Sequence, residues 1–174
     1  MDSWIRFIGR SLIAGVASIT MVAGNADAQG APGLRVTSPD GKNSVLVEIR
    51  EGNLVYSVQR QGRPILTPSG LGMEFKGAKP LRDSLIITGS TRKSVDQTWT
   101  QPWGEVARVR DNHNELRVSV AERLPPSRRF DVTFRAFNDG VAFRYEFPEQ
   151  ANLRDFVIME ELTQFSMADN SRSW

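Results

Sequence analysis

The segment "RFDVTFRAFNDGVAFRYEFP" (129–148) limits what this chain can fold into more than any other stretch. Phe130, Val132, Phe134 and Ala136 recur at every second position, and so do Val141, Phe143, Tyr145 and Phe147. A period of two sets alternate side chains on one face of a strand. Between the runs lies "NDG" (138–140), whose residues tolerate the positive φ of a tight turn, and Pro148 then ends the ladder because it has no N–H to give. The segment predicts a β-hairpin with one apolar face.

Nearly everything after residue 33 follows the same period. "SVLVEIR" (44–50) aligns Val45, Val47 and Ile49, and "NLVYSVQR" (53–60) aligns Leu54, Tyr56 and Val58, with "EGN" as a short hairpin turn. "LGMEF" aligns Leu71, Met73 and Phe75; "ELRVSV" aligns Leu116, Val118 and Val120. Turn signals recur at "SPDG" (38–41), "RQGRP" (60–64), "TPSG" (67–70) and "LPPS" (124–127). Many short strands at this spacing predict an all-β, antiparallel sandwich in one domain. "DFVIMEELTQF" (155–165) is ambiguous: Phe156, Met159 and Leu162 sit three apart as on a helix, but Val157 and Ile158 favour the strand to which the reading leans.

The first segment stands outside this pattern. Arg6 and Arg10 precede the apolar run "SLIAGVASITMVA" (11–23), and Ala26-Asp27-Ala28 offers a small-x-small cleavage site. Residues 1–28 are therefore expected to be a signal peptide, the run being short for a span of about 20 apolar residues. The mature domain is expected to run over 29–174, and "SMADNSRSW" (166–174) suggests a C-terminal truncation. The chain contains no cysteine, which excludes a disulfide scaffold and a thiolate metal site. The formal charge of +2 comes from interspersed signs with no basic block, so nucleic acid is not an expected partner.

Candidate chemistry is sparse. His113, the one histidine, lies in "RVRDNHNEL" beside Asp111 and Glu115, and reads as a surface or hydrogen-bonding residue at a strand edge. No nucleophile elbow, phosphate loop or metal-ligand spacing occurs. Glycoside hydrolysis needs two carboxyls several ångströms apart, for which Asp96 with Glu105 and Glu160 with Glu161 are the candidate pairs. Adjacent strand residues point to opposite faces, so Glu160 and Glu161 are not expected to share a site, and solvated strand edges are the favoured reading for both pairs. No catalytic residue and no metal ligand is assigned. "VDQTWTQPWGE" (95–105) remains: Trp99 and Trp103, with Asp96, Glu105 and Asn114, suit either a sugar-stacking platform or a pair of structural anchors.

Taken together, "LRVTSPDGKNSVLVEI", "SGLGMEF", "SVDQTWTQPWGE", "VRDNHNELRVSV", "RFDVTFRAFNDGVAFRYEFPEQ" and "EELTQFSMADNSRSW" resemble, in order and spacing, the N-terminal domain of glycoside hydrolase family 97. The resemblance covers 34–174. It implies a galactose-mutarotase-like β-super-sandwich from an exported bacterial α-galactosidase or calcium-dependent α-glucosidase, in the periplasm or on the outer surface, with no membrane contact after signal cleavage. It also implies that catalysis belongs to a (β/α)8 barrel of the same parent chain, absent from this fragment. The family's calcium-ligating glutamate falls just beyond Trp174, so calcium is expected only in the full-length enzyme and no cofactor in the fragment. The implied partners are that barrel and an α-glucoside or α-galactoside. Trp99, Trp103, Glu105, Asn114 and Glu115 are the candidate carbohydrate-binding or barrel-interface residues. Two departures, Gln97 in "DQTW" and the run Asp111-Asn112-His113, weigh against ligand roles for Gln97 and His113 by analogy. Phe137, Trp99 and Trp103 are the expected uncovered apolar patch. A free-standing carbohydrate-binding module and a structural adaptor are the alternative readings.

Overall fold

The computed structural model describes residues 33–105 and 107–169. The expected signal peptide (1–28) and the chain's last residues (170–174) lie outside them. Ten strands follow in order: β1 (Leu34–Thr37), β2 (Asn43–Arg50), β3 (Asn53–Arg60), β4 (Arg63–Gly70), β5 (Met73–Phe75), β6 (Leu85–Thr100), β7 (Arg108–Glu122), β8 (Arg129–Phe137), β9 (Val141–Glu146) and β10 (Ile158–Glu161). They form a sheet β1-β2-β3-β4, a sheet β6-β7-β8-β9 and a small sheet β10-β5.

The period-two stripes become the core. Val36, Val45, Val47, Leu54 and Tyr56 of the first sheet are buried against Leu116, Val118, Val120, Phe130, Val132, Phe134 and Ala136 of the second. The Tyr56 ring spans the layers, 5.9 Å from Phe134 and 5.3 Å from Phe143. Its hydroxyl donates to the Gln164 carbonyl at 2.9 Å, and burial pushes the phenol up to about 12. The expected antiparallel sandwich is present. β10 pairs with β5, which bears out the strand reading of the ambiguous segment, and Leu71, Met73, Phe75 and Leu81 are buried at this end.

Turn chemistry follows the sequence in part. Glu51 and Gly52 join β2 to β3 with φ of 50° and 78°, and Gln61 and Gly62 join β3 to β4 with 49° and 77°. Two successive left-handed residues match the twist of a tight hairpin, and glycine takes the second at no steric cost. The Asn138–Gly140 turn departs from expectation, since none of its residues has a left-handed φ. Phe137 N–H donates to the Gly140 carbonyl at 2.8 Å, Asn138 Oδ1 accepts from Asp40 N–H, and the Asn43 side chain donates to the Phe137 carbonyl. Bonds to the first sheet, not a special backbone conformation, hold this turn.

"TPSG", expected as a turn, lies inside β4. The β3–β4 register steps from Gln59↔Pro64 to Val58↔Leu66 and then to Tyr56↔Ser69, so extra residues bulge on β4 beside both prolines. A bulge is where a strand tolerates a missing N–H. β6, 16 residues long, had no period-two signal because most of it lies exposed beyond Ile87.

At one end of the sandwich the buried Arg128 pairs with the half-buried Glu122. Its Nε donates to Glu122 Oε2 at 2.9 Å, Nη2 reaches Oε1 at 2.5 Å, and Nη1 donates to the Lys79 carbonyl at 2.9 Å. Burial works to raise the Glu122 carboxyl, but the Arg128 bonds outweigh it and hold the group below the usual range.

Candidate functional site

β7 pairs with β8 only as far as His113↔Phe137, whereas its pairing with β6 runs on to Arg108↔Thr100. The two strands leave the sandwich as a two-stranded arm, Asp96–Thr100 against Arg108–Asn112. Gln101 N–H closes its tip by donating to the Ala107 carbonyl at 3.1 Å. Gly104 adopts a φ of 117° there, a backbone conformation that favours glycine; a Cβ would meet only the movable amide end of Gln101.

Threonine, tryptophan and valine favour strands, and the arm adds polar cross-strand ties. Arg110 binds Asp96 through Nε at 2.8 Å and Nη2 at 2.7 Å, and these bonds hold the Asp96 carboxyl below its ordinary value. On the other face Gln97 Nε2 donates to Asp111 Oδ2 at 3.2 Å. Trp99 is 50% exposed and Trp103, in the tip, is 83% exposed. Glu105 is exposed in the same tip.

The other two candidates stand at the arm's base. Asn114 Nδ2 donates to the Thr37 carbonyl at 2.8 Å, and its Oδ1 accepts from Ser94 at 2.7 Å, which ties the base to β1. Glu115 faces the opposite side, where Oε2 accepts from Arg135 Nε at 2.8 Å. Trp99 pairs with Val109 and Ser94 with Asn114. At about 3.4 Å per residue, the five steps from Ser94 to Trp99 separate tip from base by roughly 17 Å. The structure therefore gathers Trp99, Trp103 and Glu105 at one place and sets Asn114 and Glu115 apart from them.

His113 is hydrogen-bonded, as expected, but it is neither at the surface nor at a strand edge. It lies inside a three-strand ladder and is 1% exposed, although it is on the face turned away from the core. Phe137 covers it, ring centroids 4.9 Å apart. Nδ1 meets Asp111 Oδ1 at 2.5 Å, whereas buried Nε2 has no hydrogen-bond partner among the described residues and stands 3.9 Å from Glu115 Oε2. Burial works to raise Asp111, but its bonds with His113 and Gln97 keep it below its ordinary value. Phe137 is thus half-buried, not a free patch.

The same face carries an ionic network that sequence reasoning missed. Arg117 bridges Asp131 at 2.6 Å and Glu146 at 3.2 Å, and Glu146 also accepts from Thr133 at 2.7 Å and Arg144 at 3.0 Å. The available signal was charge at the outward positions of "RRFDVTFRAF" and "FRYEF", alternating with the apolar stripe.

Glu160 and Glu161 were not expected to share a site, yet both line one cleft of about 500 Å3 with Asn53, Arg82 and Gln164. The β10–β5 register shifts between Ile158 and Glu160, but Glu160 and Glu161 then pair in step with Glu74 and Met73, so alternation between the two carboxylates holds and the shared cleft does not make them a catalytic pair.

The profile of the Glycosyl-hydrolase 97 N-terminal family matches residues 36–174. The chain belongs to this family. It is 31% identical, over 63% of its length, to the retaining α-galactosidase of Bacteroides thetaiotaomicron, and covers 16% of that protein. It is 32% identical to the probable retaining α-galactosidase of Streptomyces bingchenggensis, over 71% of this chain and 18% of the relative. Among solved structures it is similar to a glycoside hydrolase family 97 enzyme from Pseudoalteromonas sp. strain K8, determined in complex with panose and with acarbose. That likeness has a TM-score of 0.75 and 38% identity over 78% of this chain and 20% of the enzyme. A β-arabinopyranosidase is similar with a TM-score of 0.69 and 29% identity over 77% and 21% of the two chains. The chain therefore spans about a fifth of the relatives it matches.

Proposed function

We propose that this domain is the non-catalytic N-terminal sandwich of an exported bacterial α-glycosidase, and that its β6–β7 arm docks on the catalytic barrel of the same parent chain and helps shape a site for an α-glucoside or α-galactoside. The observation that carries the reading is the arm: a two-stranded ribbon with Trp99 half exposed and Trp103 83% exposed at its end. A ribbon of two strands is marginal in water, and large aromatics left in solvent at its tip gain free energy when another surface covers them. A chain spanning about a fifth of its relatives leaves ample polypeptide to provide that surface. On this reading the acid, base or nucleophile and any calcium belong to the parent enzyme.

The test has two parts. The isolated chain should not hydrolyse aryl α-glucosides or α-galactosides, with or without calcium; turnover by the pure chain would overturn the non-catalytic assignment. This domain should then replace the matched fifth of the Pseudoalteromonas enzyme in a chimera. Trp99→Ser with Trp103→Ser should lower the chimera's activity about tenfold or more, the scale on which a buried aromatic anchor acts. An unchanged chimera would refute the docking role. Tryptophan quenching by maltooligosaccharide in the isolated domain would instead favour direct sugar binding at the tip.

A further inference from the structure

The cleft of about 500 Å3 has a floor made of backbone and one wall set by a chain of hydrogen bonds. After β10 the chain runs beside the end of β4. Leu162 N–H donates to the Gly72 carbonyl and Gln164 N–H to the Gly70 carbonyl, both at 2.9 Å. In the wall, Gly72 N–H donates to the Tyr145 hydroxyl at 3.1 Å, and that hydroxyl meets Thr163 Oγ1 at 2.9 Å. Thr163 Oγ1 donates in turn to Glu161 Oε1 at 2.6 Å. An ionised carboxylate only accepts, so the threonine hydrogen goes to Glu161 and the tyrosine donates to the threonine. Burial raises the Tyr145 phenol, which keeps its proton at neutral pH. The relay fixes one oxygen of Glu161 and leaves Oε2 for the cleft.

The groups around Oε2 are of both kinds. Gln164 Oε1 accepts from Gly70 N–H at 3.0 Å, which leaves the Gln164 Nε2 hydrogens to donate. Asn53 Nδ2 donates to the Arg50 and Glu51 carbonyls at 3.4 and 3.2 Å, which leaves Oδ1 to accept. Arg82 is exposed on the rim and has no carboxylate partner among the described residues. The cleft thus offers two acceptors, Glu161 Oε2 and Asn53 Oδ1, beside two donors, Gln164 Nε2 and Arg82. A hydroxyl both donates and accepts, so neighbouring hydroxyls on one ligand can use all four. Glu51, Glu160 and Glu161 outnumber Arg50 and Arg82 here, which disfavours an anion. No aromatic side chain lines the cleft among the described residues, so hydrogen bonds rather than stacking must carry recognition. The volume lies within the range of about 300–1,000 Å3 usual for ligand sites.

We propose that this cleft binds a neutral saccharide through its hydroxyls, with Glu161, held by Thr163 and Tyr145, as the central acceptor. The site stands apart from the arm. Leu85 N–H, at the start of β6, donates at 2.8 Å to the carbonyl of Gly52, next to Asn53 in the cleft. Trp99 lies 14 strand steps further along β6, roughly 45 Å away at about 3.3 Å per residue. The inference rests on the reading of the chain as part of a glycosidase only for the choice of sugars to offer, and the cleft's geometry owes nothing to docking of the arm.

Maltotriose and melibiose are the probes, each titrated into the isotope-labelled 174-residue chain while amide shifts are followed by NMR. The expected result is saturable shifts within 50–55, 70–72 and 160–164 for at least one of them, with a dissociation constant on the order of 1 mM. Glu161→Ala should weaken binding about tenfold. Tyr145→Phe, which keeps the carboxylate and cuts the relay, should weaken it about threefold. Arg82→Met, at an exposed position, should weaken binding likewise and serves where Glu161→Ala fails a circular-dichroism check of folding. Absence of shifts with both sugars, or affinity indifferent to the Glu161 and Arg82 variants, would overturn the proposal. Tighter binding of glucose 6-phosphate than of either probe would overturn the neutral ligand class. Shifts confined to the arm's tip would give the sugar to Trp99 and Trp103 instead. Trp99→Ser with Trp103→Ser should leave the cleft's shifts unchanged, so failure here is separable from failure of the arm's docking.

Discussion

The two halves of β7 make the most instructive contrast in the molecule. From Leu116 to Val120 it runs between β6 and β8, and alternate side chains are buried against the opposing sheet. From Arg108 to Asn112 its one neighbour among the described residues is β6, and an ion pair and a side-chain hydrogen bond from Gln97 hold the ribbon where a core would otherwise do so. Exposed ion pairs contribute little, so the arm's geometry depends on the register passed out from the sandwich and on whatever covers its tip. One continuous pair of strands thus serves as scaffold at one end and as reach at the other.

The contrast can be broken most forcefully in the core. Phe134→Ala, at a fully buried ring between Tyr56 and Phe143, should cost about 3–5 kcal/mol in denaturant melts. A cost no larger than that of an arm substitution would dissolve the distinction. Next is Arg128→Met, which strands Glu122 in a half-buried position and should cost about 3–5 kcal/mol at neutral pH. The sign with pH follows from Glu122 lying below its ordinary 4.5 in the folded state. Its contribution is present above 4.5 and is lost as pH falls through the folded value. Wild type should therefore destabilise on acidification below pH 4.5, and Arg128→Met should lose less over the same interval, as followed by melts across pH.

Phe137→Ser sharpens the boundary between the halves. Because Phe137 covers His113, the expected cost is about 1–2 kcal/mol, above a surface change and below a core truncation; a melt matching Phe134→Ala would mean that this outer face is packed like the core. Smallest is Trp103→Ser, which should move the stability of the isolated domain by no more than about 0.5 kcal/mol. A larger loss by denaturant titration would show that the tip aromatics stabilise the sandwich itself.

The sandwich was legible wherever one strand face is buried and the other wet, as in Val45–Val47, Phe130–Ala136 and Leu116–Val120. Legibility failed where that asymmetry disappears. Most of β6 is solvated on both faces, and β4 carries two prolines that read as turns until its bulges are seen. His113 looked like a strand-edge polar residue because its cover, Phe137, is 24 positions away in sequence and meets it only through β7–β8 register. Trp99, Trp103, Asp96, Glu105 and Asn114 suit one sugar platform by residue type, yet strand rise alone separates Trp99 from Asn114.

The β class, the principal hairpin and the family are readable from the residues alone, because period-two burial and ordered turn motifs are local properties that survive without knowledge of the partner strand. It took the folded chain to reveal that β6 and β7 run on past β8, that His113 is sealed under Phe137, and that β9 ends its sheet among the described residues with an apolar cleft at its side. The physical reason is register. Which residues meet across strands, and which strand is left at an edge, depends on pairings between distant segments that no local pattern encodes.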